Sequence, residues 1–166
     1  MTDAGSVEGR VRAVLDGLGV EFEVVRIDPA YADTAEFCAR YGYSLDVSGN
    51  TIVVASKREP RQYSACVVSG SDRLDVNKTV RRLMGVSRLS FATAEQTTTL
   101  TGMDIGGVTV FALPDGLPVY VDEKLMGLEY VILGSGVRSS KIKVSPKVFL
   151  ELPAAAVVPG LSKVGQ

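Results

Sequence analysis

Histidine is absent from this chain of 166 residues. No side chain therefore titrates near neutrality in its unperturbed form. That removes Ser-His-Asp and Cys-His catalysis, histidine acid-base chemistry and most zinc sites. Cysteine is scarce: Cys38 and Cys66 sit in the apolar settings "EFCARY" and "YSACVV". Their spacing sets up no disulfide framework, and buried free thiols are the expectation. No apolar run reaches the length of about 18 residues that a membrane span needs, and no membrane partner is expected. The N-terminal "MTDAGSVEGR" has no apolar segment following a basic one. No signal peptide is expected there, and cytoplasmic residence is the default. The net charge is only −1, so any nucleic-acid surface has to be a local patch. Hydrolytic chemistry is left to carboxylates, lysines, hydroxyls, backbone N–H groups or the substrate itself.

What is present reads as a globular domain. A hydrophobic share of 46% with 22% charged residues argues against disorder, and the length suffices for a core. Val7, Val11, Val14, Leu15 and Leu18 recur at helical spacing and stop at a glycine. "VEFEVVRI" alternates as a strand, and "DTAEFCARYG" is a short helix with Asp33 at its N-cap and Gly42 past its end. "NTIVVAS" and "QYSACVV" are β-branched runs separated by "KREPR", which predicts a hairpin. "DVNKTVRRLMG" predicts a helix with Val76, Val80, Leu83 and Met84 inward. "RLSFA" is a short strand, and Thr93 with Gln96 forms a capping box for "TAEQTTTLTG". Then "GVTVFAL", "LPVYVDE", "LEYVILG" and "KIKVS" predict closely spaced strands. "SPKVFLEL" predicts a final helix capped by Ser145 with Pro146 at its first position. The pattern implies an α+β fold: a mixed, partly barrel-like β-sheet core flanked by helices. Residues 1–152 are expected to form one domain, with 153–166 a loosely held tail.

Four features bear on chemistry, each with a plainer structural reading beside it. Gly102, Gly106 and Gly107 in "TGMDIGGVTVF" let backbone approach a ligand and aim N–H groups at an oxyanion, or simply satisfy a turn. Gly134, Ser135 and Gly136 end a strand, and Arg138 follows; the group suits a carboxylate or phosphate, or a solvated hairpin loop. Asp122 ends the strand "PVYVDE", where a carboxylate positions water or starts a turn. Lys78, Arg81 and Arg82 share a helix face that tracks a phosphate backbone or is merely solvated. Lys141, Lys143 and Lys147 read as a solvated face.

The order and spacing of "TAEFCARYGYSLDVSGNTIVVAS", the Gly-Gly-Val-Thr loop, "VYVDE" and "GSGVR" followed by an amphipathic strand and Ser-Pro resemble the YbaK/ProX aminoacyl-tRNA deacylase family. That family is related to the editing insertion domain of bacterial prolyl-tRNA synthetases, and the resemblance runs from about Val11 to Leu152. It implies a pocket walled by the two glycine loops and hydrolysis of the ester joining a wrongly chosen amino acid to the tRNA 3′ end. It implies no cofactor, metal or covalent nucleophile, and as partners aminoacylated tRNA and, as an option, an aminoacyl-tRNA synthetase. Gly106 and Gly107 would contact the ester, with Thr109 in the same loop. Gly134, Ser135 and Gly136 would line the opposite wall, with Arg138 as anchor. Asn50 stands where the family usually places its working lysine, beside a retained Thr51, and Lys57 or Lys78 are candidates to replace that charge spatially. Val110 stands where a proline often follows the loop. The alternative implied by Asn50 is a module that binds aminoacyl-tRNA, an amino-acid-like ligand or a synthetase without hydrolysis.

Overall fold

The computed structural model describes residues 6–164. Helix α1 (Val7–Leu18) starts where the Ser6 hydroxyl accepts a hydrogen bond from the Gly9 N–H, and it ends at Gly19 with φ 69°. Strand β1 (Phe22–Arg26) follows, then α2 (Thr34–Tyr41), running from Asp33 to a left-handed Gly42. Strands β2 (Gly49–Ser56) and β3 (Tyr63–Ser69) form the expected antiparallel hairpin, in register from Gly49–Ser69 to Ala55–Tyr63. A three-residue strand, β4 (Asp72–Leu74), leads into a π-helical turn (Val76–Val80) that continues as α3 (Arg81–Met84) and stops at Gly85. Strand β5 (Leu89–Phe91) precedes α4 (Ala94–Thr101), whose Thr93–Gln96 capping box is complete in both directions. Strands β6 (Val119–Asp122), β7 (Val131–Gly134), β8 (Ser140–Val144), β9 (Ala155–Val158) and β10 (Ser162–Val164) complete the chain.

The strands form a five-stranded sheet in the order β5-β2-β3-β6-β9, a three-stranded sheet β1-β8-β7 and the pair β10-β4. The large sheet is mixed: β5, β2 and β3 run antiparallel, whereas β3-β6 and β6-β9 are parallel. A parallel bridge between Ser48 and Ile132 links it to the three-stranded sheet, giving the core its partly barrel-like wrap. Successive residues of β2 and β3 face opposite ways, and both faces are covered. Ala65 and Val67 join the main core with Val11, Leu15, Phe111 and Phe149, whereas Cys66 and Val68 pack with Val76, Val80 and Leu161. Double-sided burial is why these strands read as near-continuous apolar runs.

Three expectations are corrected. "GVTVFAL" forms no strand, although Thr109, Val110 and Phe111 are buried. The left-handed Gly106 (φ 93°) and the positive φ of Ala112 (62°) break the extended conformation at both ends of the segment. "SPKVFLEL" forms a six-residue 3₁₀ segment, Pro146–Glu151, rather than an α-helix. Ser145 caps it as expected, but Leu152 precedes a proline, which disfavours helical backbone. Finally, the residues after Leu152 are not a loose tail. β9 pairs with β6, β10 pairs with β4, and Leu161 is fully buried.

Ending the chain at Leu152 should therefore remove several kcal/mol of stability, because Val158 and Leu161 are lost from the core at about 1.5–3 kcal/mol each. Thermal melting by circular dichroism should show a large fall in Tm or loss of the cooperative transition. An unchanged Tm would restore the loose-tail reading.

Candidate active site

Two backbone segments meet beside the end of β7. The Gly136 N–H donates to the Gly107 carbonyl at 2.6 Å, and the Asp104 N–H donates to the Gly136 carbonyl at 3.0 Å. A Cβ on Gly107 would lie 2.5 Å from the Val137 carbonyl oxygen, and one on Gly134 would lie 2.4 Å from the Val108 carbonyl oxygen. Glycine is required at both positions because backbone itself fills the space. These packed segments form one wall of a cavity of about 290 Å³, lined by Asn50, Thr51, Ile105, Gly106, Gly134 and Lys141 among others. That volume is at the small end of ligand sites, about 300–1,000 Å³.

Asn50 projects from β2 at the cavity. Its Oδ1 accepts a 2.5 Å hydrogen bond from the Thr34 hydroxyl at the start of α2, which leaves its amide N–H₂ as the group offered to a ligand. Neighbouring Thr51 also lines the cavity, and its Oγ1 is buried without a hydrogen-bond partner. Gly106 and Gly134 both line the cavity, whereas Gly107 does not and packs against the backbone of Val137. Ser135 is fully buried and donates to the Ser140 carbonyl at 3.0 Å, and Gly136 packs against Val7 of α1.

Arg138 is a clasp. Its Nη1 donates to Asp33 Oδ1 at 3.0 Å and to the Ile105 carbonyl at 2.8 Å, while Nη2 donates to the Pro29 carbonyl at 2.9 Å. It ties the segment before α2 to the glycine loop from outside the cavity lining. Thr109 is fully buried beneath that loop, its Oγ1 unpartnered. Asp122 is buried away from the cavity, accepting from the Lys124 N–H at 3.3 Å and from the Ser162 hydroxyl.

The cavity's lysine is one that sequence reasoning placed on a solvated face. Lys141 is 7% exposed, and its Nζ donates to the Gly106 carbonyl at 2.8 Å and lies 5.5 Å from the Phe37 ring centroid. Burial lowers its pKa to about 8, a fall that Asp33 opposes and Arg138 deepens. Strand alternation does place Lys141 and Lys143 on one face of β8. The aromatic cluster of Phe37 and Tyr43 that covers this face comes from α2 and the residues after it, a long-range pairing that periodicity does not contain. Lys57 and Lys78 lie elsewhere, both exposed. Burial also raises both thiols, Cys66 to about 12, so neither is an activated nucleophile. Among the described residues no group of three or more Cys, Asp or Glu side chains is placed to hold a metal ion. No described helix is long and apolar enough to cross a membrane.

The family model for the aminoacyl-tRNA editing domain matches residues 28–152. The chain belongs to this family. A solved structure described as a candidate trans-editing enzyme for prolyl tRNA synthetase is 29% identical, with a TM-score of 0.80 over 98% of this chain and 100% of that one. The hypothetical protein APE2540 is 27% identical, with a TM-score of 0.82 over 93% of this chain and 99% of that one. No curated protein matches the chain.

On this editing domain Lys78, Arg81 and Arg82 lie outside the cavity, on the π-helical turn and α3. Arg81 donates to the Asn77 carbonyl at 2.9 Å and shares a shallow groove with Lys57 and Arg88. Strand β5 connects the two places: Leu89 borders the groove and Phe91 the cavity.

The buried amine carries a stability signature. The folded pKa of Lys141, about 8, lies below the usual 10.5, so between these values the unfolded chain binds more protons and stability rises with pH. The wild-type unfolding free energy, taken relative to Lys141→Met, should rise by on the order of 2 kcal/mol between pH 7 and pH 10 in urea titrations. A flat difference would place the amine in water.

Proposed function

We propose that the protein is a free-standing hydrolase that removes a wrongly attached amino acid from tRNA by cleaving its ester at the 3′ end. The observation that carries this reading is the cavity, in which the side-chain donors Asn50 and Lys141 stand beside a backbone-built wall, with no nucleophile paired to a base. An aminoacyl ester suits such a site because it is reactive enough to need only a positioned water and stabilisation of the developing oxyanion. Water adds to the carbonyl carbon, the bond to the ribose oxygen breaks, and that oxygen takes up the proton. Free amino acid and tRNA leave. The Asn50 amide N–H₂ is the side-chain donor β2 contributes to this step. The similar structure described as a candidate trans-editing enzyme supports action in trans, since this chain spans its full length.

Purified protein should deacylate at least one member of a panel of mischarged tRNAs well above the uncatalysed rate. Asn50→Ala should lower kcat by on the order of 10²-fold, as loss of one oxyanion donor does. Measurable tRNA binding without hydrolysis would instead favour a binding module, the reading suggested by the neutral Asn50.

The groove bordered by Arg81, with Lys78 and Arg82 alongside, is the proposed track for the tRNA backbone. Replacing these three residues by alanine should weaken tRNA binding and flatten its salt dependence by about 0.7–0.9 log units for each phosphate no longer neutralised. Unchanged affinity and slope would return them to the role of a solvated face.

A further inference from the structure

Strand register sets a charged group across from Asn50. β7 pairs with β8 so that Gly134 faces Lys141, and the Ser48–Ile132 bridge joins β2 to β7 in parallel. Continuing that register by two residues brings Asn50 opposite Gly134. On that register Asn50, Gly134 and Lys141 fall on three adjacent strands, and all three line the cavity. Paired residues point to the same face, and at Gly134 that face is filled by the backbone of Gly107 and Val108. Asn50 and Lys141 therefore flank the glycine loop, and both line the cavity. Lys141 is the only cation in that lining among the described residues.

We infer that Lys141 is a catalytic residue of this editing domain, its ammonium donating a hydrogen bond to the ester carbonyl oxygen as negative charge builds there. The role rests on the function proposed above. One N–H of Lys141 is spent on the Gly106 carbonyl, which fixes the amine at the loop and leaves two N–H groups for a ligand. A carbonyl needs only a neutral donor, so pinning the loop does not account for a buried charge; an oxyanion does. The groups facing the amine are Asp33 and Cys38 from the start and middle of α2 and Arg138 from the connection between β7 and β8. Burial lowers the amine to about 8 while Asp33 keeps it from falling further, so at neutral pH it acts as a donor and not as a base. In the reaction the carbonyl π pair moves onto the oxygen held by Lys141 and returns as the ribose oxygen departs. The departing oxygen receives a proton from the attacking water, and Lys141 keeps its own protons throughout.

The test is steady-state deacylation of a mischarged tRNA by the full chain and its variants. Lys141→Met should lower kcat by on the order of 10²-fold with KM changed by less than about threefold. Rate enhancement over the uncatalysed reaction should fall in wild type as pH rises through about 8 and persist in Lys141→Arg, whose guanidinium stays charged. The substrate's own α-amine titrates in the same range, so wild type is also assayed on an α-hydroxyacyl-tRNA, where the falling limb should remain; this arm needs no substitution to fold. A kcat for Lys141→Met within about threefold of wild type, an identical limb in Lys141→Arg, or no limb on the hydroxyacyl substrate would overturn the role of Lys141 alone. Wild type inactive on every mischarged tRNA would overturn the proposed function and this role with it.

Discussion

The site depends on the packing of two stretches of backbone against each other. The loop carrying Gly106 and Gly107 lies directly on the end of β7, and the short Gly136–Gly107 hydrogen bond locks it there. A side chain at Gly107 or Gly134 would drive the two apart, because the atoms in the way are carbonyls that cannot rotate aside. With the loop seated, the Gly106 carbonyl faces inward to receive Lys141, and Arg138 clasps the same loop from outside through the Ile105 carbonyl. Arg138 also holds Asp33 and Pro29, so the start of α2, and Thr34 with it, is fixed relative to the glycines. Thr34 in turn holds Asn50. One backbone junction thus sets the position of the polar groups around the cavity.

Electrostatics follow from the same geometry. A chain without histidine has no ready acid or base near neutrality, and this cavity compensates with donors that need not lose a proton. Asn50 is neutral, and its carbonyl oxygen is already engaged. The β2 side of the loop thus presents a neutral side chain at Asn50, while Lys141 places a charge on the β8 side. Carrying a charge there is costly, as the downward pull of burial on its pKa shows, and Asp33 offsets part of that cost.

Much of the fold was legible in the sequence because it was written in local signals. The α1 stripe, the β2–β3 hairpin, the Thr93–Gln96 capping box and the glycine stops each depend on neighbours within a few residues. Failures arose where distant partners decide. Residues 107–113 carry a strand's composition, but positive φ at both ends keeps them out of the ladders. The residues after Leu152 look like a tail until β6 supplies a parallel partner. At the site, the sequence pointed to Asn50 and both glycine loops, which the fold brings together around one cavity. It did not point to Lys141, because Phe37, the aromatic ring beside its amine, lies 104 positions earlier (141 − 37). Arg138 was visible as a cation beside a glycine turn, but not its partners Asp33 and Pro29.

In the proposed reaction the acyl group passes directly to water, with no side chain as intermediary. Rapid-quench sampling of a mischarged tRNA carrying a labelled amino acid, with intact mass measured on the protein at each time point, tests this directly. Direct transfer requires the label to leave the tRNA and appear only as free amino acid, the protein mass remaining unchanged throughout. Label retained on the tRNA, or an acylated protein appearing during turnover, would contradict it.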